Sequence, residues 1–315
     1  MCAGSYDFLT TRQPDFGEPV TVPSNPNDPC PCNSGLLYGE CHQPVVEASD
    51  EDLLAVVHRE YARRWEGNTT FYEEQGLYQS LAEHLAGAGQ IERIVDVGCG
   101  RGQGIAALRA LANGSHFFVG IDENPACLTA AAESLDAAAP FHRLKEKRLG
   151  PREYELEPIP GRLPLSAPIV LVHADILRPD PEFEDWIVSL APFDAVTMWF
   201  TGAHGARQFH ALMNELDIRS DSVHRMAIDL AALDLAGGVL RPGGLLQIVQ
   251  RGYTNHLPTL TAETKDEMEA LSTHGPFSLV NLKAFPYREP TTGPRIGVGG
   301  PGTGGFAFSA MFRRQ

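Results

Sequence analysis

Apolar runs rich in β-branched and aromatic residues recur from residue 91 onward, separated by alanine- and leucine-rich segments. The first run, residues 91–97, has the composition of a buried parallel strand and stops at a series of glycines. The next runs that read as strands are residues 116–122, 168–177, 193–200 and 245–250. Strands that alternate with segments of helical composition predict a parallel sheet covered by helices on both faces.

Two further apolar runs, residues 277–285 and 306–314, complete the pattern. Because they lie close together in sequence, we expect a hairpin that adds an antiparallel edge to the sheet. The glycine-rich segment at residues 297–305 is followed by no helix-forming segment, so it is expected to be the loop of this hairpin. The predicted fold class is therefore α/β, with a seven-stranded, mostly parallel sheet.

The glycine series after the first strand consists of Gly98, Gly100, Gly102 and Gly104. A strand, a glycine turn and a helix bring the backbone close to a ligand at the carboxyl end of a sheet. A dinucleotide fingerprint that begins at Gly98 would need glycine or alanine at position 103, where the chain has glutamine. The Walker pattern needs a Gly-Lys-Ser/Thr ending, which is absent. The spacing therefore argues against both of these nucleotide-binding loops.

Residues 96–102 read Asp-Val-Gly-Cys-Gly-Arg-Gly and resemble the first motif of the class I S-adenosylmethionine (SAM) methyltransferases. Asp122, Asp175 and the Pro-Gly-Gly sequence at residues 242–244 stand, in order, at the later motif positions of that family. The resemblance covers residues 91–315. It implies a Rossmann-like methyltransferase sheet, SAM as the cofactor, and transfer of a methyl group by in-line displacement.

The resemblance also implies a role for each matching residue. Asp96 and the glycine turn would face the methionine part of SAM, and Asp122 would accept hydrogen bonds from both ribose hydroxyls, since a carboxylate offers two acceptor oxygens. Asp175 would accept from the adenine amino group, with Ile176 against the ring. A strand-end aspartate can also be an ordinary solvated acid, and Cys99 can be a small packed residue. The implied SAM-binding residues are Asp96, Gly98, Cys99, Gly100, Gly102, Asp122, Glu123, Asp175 and Ile176.

Residues that follow the fourth strand usually meet the methyl acceptor in this family. Here Trp199, Phe200 and Thr201 would form the substrate pocket, unless the two aromatic residues are simply buried core. His204 and His256 follow the fourth and fifth strands, and either is a candidate general base, because imidazole titrates near neutral pH. No acid stands at the end of the fourth strand, so we expect transfer without a catalytic metal.

Residues 30–42 read CPCNSGLLYGECH and hold a second motif. Three thiolates and one imidazole fill a tetrahedral zinc site and leave no open position, so the metal would be structural. The segment resembles the SEC-C zinc motif, and such motifs are thought to contact other macromolecules, which suggests a protein partner. Reduced thiols in a flexible tail are the alternative. The predicted zinc ligands are Cys30, Cys32, Cys41 and His42.

The net charge of −15 makes general binding to nucleic acid unfavourable, because such binding requires clustered Lys and Arg. The basic segment at residues 142–148 is expected to be a solvated helix face. The six cysteines form no disulfide framework, and residues 1–20 lack the features of a signal peptide. No apolar run is long enough to cross a membrane. These features predict a cytoplasmic enzyme without nucleic-acid or membrane partners.

These signals divide the chain into four parts. Residues 1–29 are expected to be a disordered tail, residues 30–47 the zinc module, residues 48–90 two helices that cap the SAM pocket, and residues 91–315 the methyltransferase core. The module and the core are expected to be separate units. Three functions remain open: methyl transfer to a small molecule, transfer to a protein recruited by the zinc module, and SAM binding by an adaptor without transferase activity.

Overall fold

The computed structural model describes residues 23, 25–31, 36–112, 116–150, 152–161, 163, 167–202, 204, 206–290 and 304–315. Most of the tail predicted for residues 1–29 lies outside this range, as do Cys32 and most of the glycine-rich segment at residues 297–305. No helix in the described part of the chain is long and apolar enough to cross a membrane.

Eight strands form one mixed sheet at the centre of the molecule, and two more form a separate hairpin. The strands are β1 (Arg93–Val97), β2 (Phe117–Asp122), β3 (Phe141–His142), β4 (Leu144–Gly150), β5 (Glu153–Pro158), β6 (Ile169–His173), β7 (Phe193–Trp199), β8 (Leu240–Thr254), β9 (Phe277–Tyr287) and β10 (Gly304–Arg314). In space the central sheet follows the order β3-β6-β2-β1-β7-β8-β10-β9.

The predicted fold class is confirmed. The seven predicted strands are β1, β2, β6, β7, β8, β9 and β10, and the two-residue strand β3 is added at one edge. β1 pairs in parallel with β2 on one side and with β7 on the other. The last strand, β10, is antiparallel to both of its neighbours. Because the chain leaves β1 towards opposite sides in its two halves, the carboxyl ends of β1, β2 and β7 border a crevice, where ligands of open α/β sheets bind.

Ten α-helices pack around the sheet in the described residues. They are α1 (Tyr38–Cys41), α2 (Gln43–Val46), α3 (Leu53–Glu74), α4 (Leu77–Ala86), α5 (Gln103–Leu111), α6 (Pro125–Leu135), α7 (Pro181–Ser189), α8 (Ala211–Glu215), α9 (Asp221–Val239) and α10 (Leu257–Ser272). The two cap helices expected within residues 48–90 are α3 and α4. They break at Gly76, whose φ of 70° is the left-handed conformation that glycine adopts at little cost.

The two faces of the sheet have separate apolar cores. Trp199 and Leu245 pack on one face with helices α3, α4 and α5. Met198 and Leu246 pack on the other face with helices α7, α9 and α10. Because consecutive strand residues point to opposite faces, neighbours in sequence divide between the two cores.

The basic segment at residues 142–148 is not a helix face, so that prediction is wrong. Most of it forms β4, which pairs with β5 so that the ammonium group of Lys147 lies 2.5 Å from Oε1 of Glu157. Opposite charges on facing strands stabilise such a pair, an arrangement that charge composition by itself does not reveal. Arg143 precedes β4, and its side chain is 2% exposed. It pairs with Asp180 at 2.7 Å and so joins the β4–β5 hairpin to the start of α7.

The zinc motif packs against the cap helix α3. Val45 of α2 shares an apolar cluster with Leu53, Leu54 and Val57 of α3. Two arginines of the same helix, at positions 63 and 64, donate hydrogen bonds to the backbone carbonyls of Glu40 and Cys41. The module is therefore in contact with the helical cap. The separation of the module from the core and the four domain boundaries stay predictions.

Candidate functional site

The glycine turn lies between β1 and α5. Gly98, Gly100 and Gly102 have φ angles of 67°, 56° and 86°, a backbone region that residues with a Cβ rarely adopt. The backbone N–H groups of Gly98 and Cys99 both donate to the carbonyl of Ile121, at 2.8 and 3.0 Å. The turn is therefore fixed against β2, and its backbone faces the crevice between the strands.

Asp122, the last residue of β2, holds the turn from the other side. Its two carboxylate oxygens accept hydrogen bonds from the backbone N–H groups of Gly100 and Asn124, both at 2.8 Å. Burial raises the pKa of Asp122 to about 6, and these two backbone hydrogen bonds oppose the rise. A carboxylate has about four acceptor positions, so Asp122 can still accept from two hydroxyl groups of a ligand.

Asp96 lies beneath the turn and does not line the crevice. It is 3% exposed, and its Oδ1 accepts a hydrogen bond of 2.7 Å from the hydroxyl of Thr197. A Cβ placed on Gly104 would lie 3.2 Å from Oδ2 of Asp96, which shows how closely α5 approaches this carboxyl. Burial raises the pKa of Asp96 to about 7.

Arg207 joins the two acids that follow β2 and β6. Its guanidinium lies 2.5 Å from Oε2 of Glu123 and 2.7 Å from Oδ2 of Asp175. Although burial by itself raises the pKa of Glu123, the adjacent Arg207 and His204 hold that pKa well below its usual range. The acid expected to meet the adenine amino group is thus held in an ion pair, which limits how far it can move.

His204 connects this ion-pair network to the cap. Its Nε2 lies 3.1 Å from Oε1 of Glu123 and 3.2 Å from Nε2 of His58 on α3. The amide of Asn124 also donates to the backbone carbonyl of His58, at 3.1 Å. Burial, together with the neighbouring His204, lowers the pKa of His58 to about 3, so its ring is neutral at physiological pH. These contacts fasten α3 over the crevice.

A cavity occupies the crevice, with an empty volume of about 730 Å³ that includes its open mouth. Ten of the residues predicted from the sequence line it: Gly98, Gly100, Asp122, Glu123, Asp175, Ile176, Trp199, Phe200, Thr201 and His204.

Four predicted site residues do not line the cavity. Asp96, Cys99 and Gly102 lie beneath or behind the turn that they help to shape. His256 is exposed at the start of α10, where its Nδ1 accepts from the backbone N–H of Thr259 at 3.4 Å. That ring caps a helix outside the cavity, so the structure does not bring it to the site.

Sequence reasoning missed several residues of the cavity wall. They come from helices α3, α6 and α9 and from the segments after β2 and β7, at positions that carry no motif, so no local signal identifies them. These residues are Tyr61, Asn124, Cys127, Arg207, His224 and Ile228.

Five buried polar atoms of the cavity-lining residues have no hydrogen-bond partner among the described residues. They are Oδ2 of Asp175, which is ion-paired with Arg207, and Oγ1 of Thr201, Nδ1 of His204, Nε of Arg207 and Nε2 of His224. Burying a polar group without a partner is costly, so several such atoms around one cavity indicate a polar ligand. SAM carries hydroxyl, amino, carboxylate and heterocyclic nitrogen groups, and it therefore fits this set of donors and acceptors.

The zinc motif brings together three of its four predicted ligands. Nδ1 of His42 lies 3.1 Å from Sγ of Cys30 and 3.3 Å from Sγ of Cys41. Ligands of tetrahedral zinc, with Zn–S near 2.3 Å and Zn–N near 2.0 Å, are separated by about 3.5 Å, so the donor set fits the metal. The fourth predicted ligand, Cys32, lies outside the described residues.

Comparison with known proteins agrees with the zinc motif. Residues 27–44 match the SEC-C motif, which confirms that prediction. No curated protein matches this chain.

Several solved structures are similar at low identity. One, from work on the conversion of a disulfide bond into a thioacetal group during echinomycin biosynthesis, is 15% identical, with 76% of this chain and 81% of that chain covered and a TM-score of 0.41. TrmN from Thermus thermophilus is 14% identical over 76% of this chain, which spans 48% of that chain, with a TM-score of 0.41. The N-methyltransferase NodS from Bradyrhizobium japonicum WM9 is 12% identical, with 76% and 96% covered and a TM-score of 0.40. The strand order, rather than these distant likenesses, defines the fold.

Proposed function

We propose that this protein is a SAM-dependent methyltransferase that transfers a methyl group to a small-molecule or protein acceptor. The observation that carries the proposal is the cavity at the crevice of the sheet, where the glycine turn, Asp122 and Asp175 meet around unpartnered polar atoms. Ligands of open α/β sheets bind at this position. The order of the motifs along the sequence supports the same assignment.

When bound, SAM supplies an electrophilic methyl carbon, and the residues of the chain hold the reactants in place. Asp122 would accept hydrogen bonds from the ribose hydroxyls, and the backbone of the glycine turn would face the methionine part. Asp175 would accept from the adenine amino group while Arg207 keeps its carboxylate oriented. Ile176 would lie against the adenine ring.

The acceptor side of the cavity would be formed by Trp199, Phe200 and Thr201, which line it. His204 is the candidate general base that the structure places in the cavity wall, and one of its ring nitrogens has no partner among the described residues. No carboxylate stands on the residues that follow β7, so the proposed transfer uses no catalytic metal. The zinc held by the SEC-C motif would be structural, because four protein ligands leave no open position.

A SAM-binding adaptor without transferase activity is the second candidate. One observation favours it: Nε2 of His204 is already engaged by Glu123 and His58, which restricts that ring as a base. In this case the SEC-C motif would recruit a protein partner, and the cavity would only sense the cofactor.

Calorimetry with S-adenosylhomocysteine tests the binding step. We expect one site per chain, and Asp122→Ala should weaken affinity by about tenfold or more, since it removes charge-assisted hydrogen bonds. Asp185→Asn is the matched control, because Asp185 is exposed on α7. Undiminished affinity in Asp122→Ala would remove this residue from the site. Release of S-adenosylhomocysteine from SAM in the presence of lysate fractions would then separate the enzyme from the adaptor.

A further inference from the structure

Beyond the carboxyl end of β7, the neighbouring strand β8 continues. Trp199, the last residue of β7, pairs with Val249, and β8 extends past this point to Thr254. Alternate residues of a strand share one face, so Arg251 and Tyr253 lie on the face of Val249, which belongs to the same core as Trp199. This is the face that α3 covers.

Arg251 is a half-buried cation on this surface. Its Nη1 is buried and has no hydrogen-bond partner, and no carboxylate lies within 4.0 Å of its guanidinium among the residues that the structure describes. The guanidinium carbon lies 5.4 Å from the ring centre of Trp65, a contact that satisfies none of its N–H groups. A buried N–H group without a partner is costly, and an anion that accepts from it would offset that cost.

Glu289, an acid whose charge acts on Arg251, is engaged elsewhere. Glu289 accepts hydrogen bonds from the hydroxyls of Tyr72 at 2.6 Å and Tyr287 at 2.8 Å, and also from the hydroxyl of Tyr253. Three of the roughly four acceptor positions of this carboxylate are therefore used by tyrosines. Arg251 is left as a positive charge surrounded by aromatic rings, beside an acid that it does not contact.

Two aromatic residues connect Arg251 with the cavity. Trp65 lines the cavity and also lies under the guanidinium of Arg251. Phe200 lines the cavity as well, and its ring centre is 5.9 Å from that of Tyr72. An acceptor that extends from the cavity past these rings would bring its far end to Arg251.

We propose that Arg251 binds the anionic group of the methyl acceptor, and that the acceptor is a small aromatic or otherwise planar carboxylic acid. This inference rests on the proposed function. The flat guanidinium pairs with a carboxylate through two hydrogen bonds, and the surrounding rings suit a planar body. A singly charged carboxylate is favoured over a phosphate, because Glu289 already places one negative charge beside the site.

The test compares two probes that differ only in charge, 4-hydroxybenzoate and 4-hydroxybenzamide. Their affinities are measured by calorimetry on the full chain saturated with S-adenosylhomocysteine, at fixed ionic strength. We expect the acid to bind at least about tenfold more tightly than the amide, the range of a charge-assisted pair. Equal affinities, or no binding of either probe up to its solubility, would overturn the proposal.

Variants assign the preference to Arg251. Arg251→Gln should abolish the discrimination between acid and amide, and Arg251→Lys should retain part of it, since the charge remains while the planar fork is lost. Arg225→Gln is the matched control, because Arg225 is exposed on α9. A preference for the acid that survives Arg251→Gln would overturn the assignment. Failure to bind S-adenosylhomocysteine would overturn the proposed function instead, and the same two probes on the cofactor-free protein would still report on Arg251.

Discussion

Burial acts differently on the three carboxyls around the glycine turn. Asp96 and Asp122 have no cation in contact among the described residues, so the loss of water raises their pKa to about 7 and about 6. Glu123 is buried beside Arg207 and His204, and its pKa is held well below the usual range. Neighbours in space, rather than residue type, therefore decide which acid stays charged.

Asp96 should make folding stability depend on pH. Its pKa rises from 3.8 in the unfolded chain to about 7 in the folded state. Between these two pH values Asp96 is ionised in the unfolded chain but still protonated in the folded state, so the folded state loses stability as pH rises. Asp96→Asn cannot ionise. We expect its melting temperature, relative to the unsubstituted protein, to rise from about pH 5 to about pH 7 and then level off. Thermal unfolding across this pH range measures the difference in melting temperature, with Asp185→Asn as the control. A difference in melting temperature that does not change with pH would contradict the prediction.

His204 and His256 should differ sharply in their effect on turnover. Once an acceptor is identified, His204→Ala should slow transfer by about 10²–10⁴-fold if this ring is the base, with little change in SAM affinity. His256→Ala should leave turnover unchanged, because that side chain caps α10 outside the cavity. Steady-state kinetics with both variants measures this. Full activity in His204→Ala would show that positioning by itself supports the reaction.

At the scale of elements, helix α3 connects three parts of the molecule. Its residues His58, Tyr61 and Trp65 are spaced three and four apart, so they share one helical face, which is turned towards the cavity and its network. Arg63 and Arg64 reach the carbonyls of the zinc motif instead. One helix thus contacts the metal module on one side and closes the crevice on the other.

Loss of zinc should leave cofactor binding in place. Cys30→Ser/Cys41→Ser should lower the zinc content from about one per chain to near zero, since thiolates are the strong ligands of this site. Affinity for S-adenosylhomocysteine should persist, because α3 keeps its contacts with the core through His58 and Tyr72. Metal analysis and calorimetry on the same samples measure both. If cofactor binding is lost together with zinc, the SEC-C motif is needed to hold the cap.

At the scale of the whole molecule, the strand order places distant parts of the chain around one crevice. The turn after β1, the acid after β2 and the loop after β7 meet there because β1 lies between β2 and β7. Helix α3, which precedes all of them in sequence, covers the opening. Cofactor binding and closure of the cap should therefore be linked.

Hydrogen exchange should reveal this linkage. We expect S-adenosylhomocysteine to slow amide exchange in the glycine turn and also in α3, because Tyr61 and Trp65 of that helix line the cavity. Exchange in α7, which packs on the other face of the sheet, is the internal control. Protection confined to the turn would show that the cap does not respond to the ligand.

The sequence by itself determined the sheet, the glycine turn and the order of the acids. Continuous apolar runs separated by helical segments leave few arrangements, and a glycine turn after a strand can be read locally. The SEC-C motif was also readable, since the spacing of its cysteines and histidine is a local pattern. Asp122 and Asp175 could be placed because each ends a predicted strand.

Only the tertiary structure decided which groups face one another. Arg207 meets Glu123 and Asp175 from a loop beyond β7, and no pattern along the chain relates these positions. His204 and His256 look alike in sequence, yet one is buried in the cavity wall and the other caps an exposed helix. Long-range packing determines this difference, because the surroundings of a side chain depend on elements far away in sequence. Strands, turns and metal-binding motifs depend mainly on neighbours along the chain.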